Sequence, residues 1–115
     1  MELSLCDCNN AVDHARHIMP GPEAIEIVAE VFKLCGDSTR VGILCALSRH
    51  SLCVCELASV LGMTSSAISH QLRLLKQTGL IRSQRAGKSV VYSIANPEIE
   101  EIFLLALRYA EETEK

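Results

Sequence analysis

Two apolar patterns joined by a glycine-containing turn constrain the fold of this chain more than any other feature. The first pattern has i, i+3, i+4, i+7 spacing, which predicts a short helix that ends at Gly62: Val54, Leu57, Ala58 and Leu61. Thr64 is in the N-cap position of a following helix through Lys76, whose inward residues are Ile68, Leu72 and Leu75. Two helices joined in this way form a helix-turn-helix.

The segments around this motif extend it to a winged fold. Beyond Gly79, β-prone runs at 80–85 and 89–94 flank Ala86-Gly87-Lys88, which predicts a hairpin with a basic tip. Residues 24–35 predict a helix that is apolar nearly all round. After the stop at Gly36, Asp37 or Ser38 can cap a second helix with a buried face formed by Val41, Ile43, Leu44 and Leu47.

A last helix is predicted from Glu98 to about Glu112, and it can pair with the first helix in a dimer. The fold class is therefore mainly α: a winged helix-turn-helix with the order α-α-α-α-β-β-α, whose first and last helices can form a dimer surface. We place an N-terminal arm at 1–20 and the DNA-binding and dimerisation domain at 21–115. A length of 115 residues fits one domain.

Charge is strongly segregated along the chain. Residues 57–97 contain no Asp or Glu and carry five basic residues, so a net charge of -3 leaves -8 for the remainder. An acidic body with one basic surface suits a partner that carries phosphates. The N-terminus lacks the pattern of an export signal, and no apolar run approaches the ~18 residues of a membrane span, so we expect a cytoplasmic protein.

The six cysteines point to metal binding rather than disulfides, because a reducing cytosol disfavours disulfides. Cys35 and Cys45 lie among apolar neighbours and are expected to pack as small hydrophobic residues. Cys53 and Cys55 form a Cys-x-Cys pair at the predicted helix start. Residues two apart on a regular helix point away from each other, so the pair can share an ion only if the chain is non-helical at or near Cys53.

Taken together, four segments closely resemble the ArsR/SmtB family of bacterial and archaeal winged-helix metal sensors. They are residues 32–40 (FKLCGDSTR), 52–58 (LCVCELA), 66–76 (SAISHQLRLLK) and 87–93 (GKSVVYS), within a match from about Ile25 to Tyr109. The resemblance implies a homodimer that represses a metal-efflux or detoxification operon and releases double-stranded operator DNA when metal binds.

The resemblance also implies the DNA-contacting residues. On the recognition helix the matching positions are Ser65, Ser66, Ser69, His70, Gln71 and Arg73, and on the wing they are Arg85 and Lys88. Short polar side chains allow close approach to base edges, whereas Arg and Lys hold phosphates or enter the minor groove. We expect no catalytic residues, because no nucleophile has a matched base.

In the cadmium and lead sensing branch of the family, the same Cys-x-Cys binds metal with cysteines from the other subunit's arm. Transferred here, the ligands would be Cys53 and Cys55 of one protomer with Cys6 and Cys8 of its mate. The arm cysteines are closely spaced, so His14 or Asp7 could replace one of them. Four sulfurs favour Cd or Pb, and a nitrogen or oxygen ligand shifts the preference toward Zn.

Other sensing patterns of the family are incomplete in this chain. The site between C-terminal helices would need a histidine, which none of the matching positions supplies: Asn96, Glu98, Tyr109 and Glu112. The third cysteine of the arsenite pattern is replaced by Ala58, although arsenite could still bind Cys53, Cys55 and one arm cysteine. An arsenite-responsive repressor, a thiol redox switch and a metal-buffering protein remain as alternatives.

Overall fold

The helices and strands of this computed structural model lie within residues 8–114, the part of the chain that the structure describes. In chain order they are α1 (Cys8–Ile18), α2 (Pro22–Leu34), α3 (Ser38–Arg49), β1 (Leu52–Cys53), α4 (Val54–Leu61), α5 (Ser65–Gln77), β2 (Ile81–Ala86), β3 (Ser89–Ile94) and α6 (Pro97–Glu114). The mainly helical winged helix-turn-helix class is confirmed, with α1 and β1 as additions to the predicted order.

The first of two compact units contains the described residues up to Lys33. Its α1 occupies most of the segment predicted as an arm, and the sequence signal for it is Ala11, Val12, Ala15 and Ile18 at helical spacing. Pro22 is the first residue of α2, where its missing N–H costs no hydrogen bond. The predicted boundary after residue 20 therefore falls inside this first unit.

The second unit, from Leu34 onward, has its own apolar core. Asp37 caps α3, since its Oδ2 accepts a hydrogen bond from the Arg40 amide at 3.1 Å. Of the two predicted caps, Asp37 and Ser38, the structure therefore selects Asp37. Nearly all core side chains come from α3, α4, α5, the β2–β3 hairpin and α6: Ile43, Leu44, Leu47, Leu57, Ala58, Ile68, Leu72, Leu75, Leu80, Ile81, Ile94, Ile99 and Phe103. Burying a side chain of this kind contributes roughly 1.5–3 kcal/mol.

The helix-turn-helix follows the predicted local signals. Gly62 ends α4 in the left-handed region at φ 65°, which a glycine adopts without steric cost. Thr64 caps α5, since its Oγ1 accepts a hydrogen bond from the Ala67 amide at 3.1 Å. The predicted inward residues of α5 are all buried: Ile68, Leu72 and Leu75. These contacts fix α5 against the rest of the second unit.

The wing is part of a three-stranded antiparallel sheet with the order β1-β3-β2. Ala86 pairs with Ser89, so the hairpin turns through Gly87 and Lys88, and Gly87 has φ 64°. Positive φ in a two-residue hairpin loop explains why glycine occupies this position. The strand β1, which the sequence analysis did not predict, pairs Leu52 with Tyr92 and Cys53 with Val91.

None of the helices in the described residues combines the length and apolar composition needed to cross a bilayer.

Candidate metal centre and nucleic-acid interface

The Cys53 backbone is extended, with φ -90° and ψ 175°, and this residue is both the end of β1 and the N-cap of α4. The condition for a shared ion, a non-helical backbone at or near Cys53, is therefore met. Cys55 is the second residue of α4 and is exposed, whereas Cys53 is half-buried. Both are free thiols, and a pair of sulfur donors at an accessible helix start suits a thiophilic ion.

Glu56 secures this helix start, a role that the sequence analysis missed. The Cys53 backbone amide donates to Glu56 Oε1 at 2.9 Å. This hydrogen bond, with a further one from the Cys53 thiol, holds the pKa of Glu56 below its usual value. The signal was available, because Cys53 and Glu56 have the spacing of a capping box in which a cysteine replaces Ser or Thr.

The predicted arm ligands belong to the first compact unit, and some of them lie outside the described residues. Cys6 and Asp7 lie outside them, and Cys8 is the first residue of α1. His14 is exposed six positions further along α1, which corresponds to a rise of about 9 Å along the helix axis. Among the described side chains, those of residues 9–114, no group of three or more from His, Cys, Asp or Glu is arranged to hold an ion.

Cys35 and Cys45 have a different environment from the Cys-x-Cys pair. Both are half-buried, and burial raises the pKa of each thiol, an effect that Arg40 near Cys35 and Arg49 near Cys45 partly oppose. A raised pKa keeps a thiol protonated at neutral pH and makes it a poor nucleophile and metal ligand. These two cysteines therefore have the character of packing residues.

The outer face of α5 is polar and accessible. Five of the six recognition-helix residues predicted to contact DNA are exposed: Ser65, Ser66, Ser69, His70 and Arg73. Gln71 differs from them, because it is half-buried and its Oε1 accepts a hydrogen bond from Arg40 Nε at 3.0 Å. Sequence reasoning gave no indication of this contact between α3 and α5.

The wing adds positive charge beside this polar face. Arg85 is exposed on β2, and Lys88 is exposed in the turn. Between residues 8 and 114, ion pairs join Arg16 to Asp13 and Arg49 to Glu111, but none engages Arg73, Arg85 or Lys88. These three charges are available to phosphates.

Comparison with known proteins shows which family this chain resembles in sequence and in structure. Residues 37–83 match the model of bacterial regulatory proteins of the arsR family. The chain is 33% identical to a transcriptional repressor SmtB homolog of Synechocystis, over 89% of this chain and 80% of that protein. It is 40% identical to a cadmium resistance transcriptional regulatory protein CadC homolog of Staphylococcus aureus, over 65% of this chain and 63% of the homolog.

A solved structure extends the similarity over nearly the whole chain. The crystal structure of the antimony-specific transcriptional repressor AntR superposes with a TM-score of 0.73 at 34% identity, covering 99% of this chain and 96% of AntR. These relatives are transcriptional regulators, which confirms the expectation that the chain is not an enzyme. The chain belongs to the ArsR/SmtB family of winged helix-turn-helix transcriptional regulators.

Proposed function

We infer that the chain is a metal-responsive repressor, which binds operator DNA as a homodimer and releases it when a thiophilic ion binds at Cys53 and Cys55. One observation carries this proposal: Cys53 is at once the last residue of β1, paired with the wing strand, and the N-cap of α4, the first helix of the helix-turn-helix. A ligand bound there acts on both parts of the DNA-binding unit.

The exposed apolar surfaces of two helices support the dimer. On α6 the exposed large side chains are Ile102, Leu104, Leu105 and Tyr109, and on α2 they are Ile25, Ile27, Val28 and Phe32. An apolar helix face that the chain itself leaves exposed favours association, because association removes it from water. A dimer would also supply two recognition helices for the two halves of a palindromic operator.

The inducing ion is proposed from the donor atoms and from the relatives. Two thiols favour Cd(II) or Pb(II), and Cys6 and Cys8 of the second protomer are the proposed additional ligands. His14 or Asp7 in place of one sulfur would shift the preference toward Zn(II). The similarity to a cadmium resistance regulator supports the first alternative.

A trivalent metalloid is a second candidate, favoured by the similarity to an antimony-specific repressor along almost the full chain. Arsenite and antimonite prefer a small number of sulfur ligands, so Cys53, Cys55 and one arm cysteine would suffice.

A redox switch, in which Cys53 and Cys55 or an arm cysteine form a disulfide, would release DNA under oxidant instead.

The test is operator binding by fluorescence anisotropy under reducing conditions, with and without each ion, for wild type, Cys53→Ser and the control Cys45→Ser. We expect Cd(II) to weaken operator binding of wild type and Cys45→Ser by about 5- to 150-fold, a common range for allosteric coupling, and to leave Cys53→Ser bound.

Other outcomes separate the alternatives. Release by antimonite but not by Cd(II) would identify the protein as a metalloid sensor rather than a sensor of Cd(II). Release only by oxidant, reversed by thiol reductant, would establish the redox switch. A wild-type protein that stays bound in every condition would contradict regulation at this cysteine pair while leaving DNA binding intact.

A further inference from the structure

The Arg40 side chain joins the first turn of α3 to the recognition helix. Its Nε donates to Gln71 Oε1 at 3.0 Å, and its Nη1 donates to the carbonyl oxygen of Leu34 at 3.3 Å. Both hydrogen bonds are partly buried, and Arg40 and Gln71 are each half-buried. The planar guanidinium therefore has one edge fixed by main chain and another fixed to α5.

Gln71 is poorly placed for reading a base. A glutamine that reads adenine uses its amide oxygen and nitrogen together, toward the N6 and N7 atoms of the base. Here the amide oxygen is directed at Arg40, and the side chain is half-buried beside the buried Leu72. A bidentate contact with adenine would require Gln71 to give up its hydrogen bond with a charged donor.

The apolar contacts of α5 hold the helix against the core but are less directional than this hydrogen bond. Its inner face is held by aliphatic side chains, Ile68, Leu72 and Leu75, and such packing has little directional preference. A hydrogen bond between a guanidinium and an amide depends strongly on distance and angle. The Arg40–Gln71 pair is thus well suited to define the angle at which Ser69, His70 and Arg73 face outward.

We propose that Arg40 and Gln71 are positioning residues, which set the rotation of the recognition helix and so control operator affinity without reading sequence or binding phosphate. This rests on the proposed function only in that α5 is taken to bind operator DNA. It replaces the sequence-based expectation that Gln71 contacts DNA with a role inside the protein, and it gives Arg40 a function that its position in α3 did not suggest.

The test is a double-mutant cycle with Arg40→Met, Gln71→Met and the combined variant, with Gln77→Met as the control. Gln77 is an exposed glutamine at the end of the same helix. Operator affinity is measured by fluorescence anisotropy over a range of salt concentrations and on operators with single base-pair changes. The urea-induced unfolding of each variant is measured in parallel. If Arg40→Met does not fold, it is replaced by Arg40→Lys, which keeps the positive charge but lacks the planar set of guanidinium donors.

We expect each single variant to bind operator about tenfold more weakly, since a charge-assisted hydrogen bond is lost, and the combined variant to bind no more weakly than the weaker single variant. The order of preference among operator variants and the slope of log affinity against log salt should stay as in wild type. Gln77→Met should behave as wild type.

Four results would overturn the proposal. Relaxed preference at one base pair in Gln71→Met would make Gln71 a base-reading residue. A salt slope smaller by about 0.9 in Arg40→Met would make Arg40 a phosphate contact. Additive losses, or variants that bind like wild type, would show that the pair does not act as a unit. A wild-type protein that fails to bind any operator would instead contradict the proposed function itself.

Discussion

Cys53 is opposite Val91 in the pairing of β1 with β3, so the proposed metal-binding pair is joined to the wing through the backbone of the sheet. The neighbouring pair is Leu52 with Tyr92, and β3 continues in the other direction to the turn that contains Lys88. A rearrangement at Cys53 therefore reaches the wing through one strand. Cys53 is thus connected through the backbone both to the helix-turn-helix, as the N-cap of α4, and to the wing, through β3.

Tyr92 offers a direct report of this connection. The chain contains two tyrosines and no tryptophan, so Tyr92 accounts for nearly all the emission of the variant Tyr109→Phe. We expect Cd(II) to change the emission of that variant, with saturation at one ion per protomer, because Tyr92 is paired with Leu52, the residue before Cys53. The measurement is a fluorescence titration under reducing conditions.

Cys53→Ser in the same background is the control for this titration and should show no change in emission. If emission stays constant while ultraviolet absorption shows Cd(II)-thiolate bonds forming, then the ion binds without disturbing the wing. In that case α4 alone would transmit the signal.

Lys88 is expected to bind a phosphate through the wing turn. Replacing Lys88 by Ala should lower operator affinity and reduce the slope of log affinity against log salt by about 0.9, because one fewer counterion is released from DNA. Lys88→Arg keeps the charge and should keep the slope. Both are measured by fluorescence anisotropy at several salt concentrations. A slope that is unchanged in Lys88→Ala would exclude this residue from the interface.

Much of the second unit could be predicted because its signals are local. Asp37, Gly62 and Thr64 each cap a helix through residues within one turn, so the printed sequence already contains both partners of each contact. The inward faces of α4 and α5 follow from helical spacing in the same way. Local signals of this kind do not depend on how distant parts of the chain meet.

The features that were missed depend mostly on distant partners. β1 has only two residues, too few to show alternation, and it exists because Leu52 and Cys53 meet a strand nearly 40 residues later in the chain. Arg40 and Gln71 are 31 residues apart, and no local pattern in either segment predicts their hydrogen bond. The helix α1 is a different case, because the helical spacing of Ala11, Val12, Ala15 and Ile18 is a local signal already present in the sequence.

Leu105 tests the predicted dimer surface on α6. It is 59% exposed in the single chain, and replacing it by Glu would place a charge in an apolar interface, where desolvation is costly. We expect Leu105→Glu to be monomeric at concentrations where wild type is dimeric, measured by sedimentation velocity. Val60→Glu is the matched control, because Val60 is 63% exposed on α4, outside both predicted dimer helices. Equal masses for both variants would argue against α6 as the dimer surface.

The cysteines should differ in their rates of alkylation. Burial raises the pKa of Cys45, so near neutral pH a smaller fraction of this thiol is the reactive thiolate than in an unburied cysteine. Cys55 is exposed and therefore accessible to the reagent. We expect iodoacetamide to modify Cys55 before Cys45, and the rate at Cys45 to rise as the pH increases toward its raised pKa. Mass spectrometry of peptides from the quenched reaction gives both rates.

Adding Cd(II) to the alkylation experiment tests which cysteines bind the ion, because a thiolate bound to an ion cannot attack iodoacetamide. Alkylation of Cys53 and Cys55 should slow when Cd(II) is present, and alkylation of Cys35 and Cys45 should not. Protection of Cys45 would contradict the division between packing and ligand cysteines. Protection of Cys53 and Cys55 together with Cys6 and Cys8 would support a site completed by the arm.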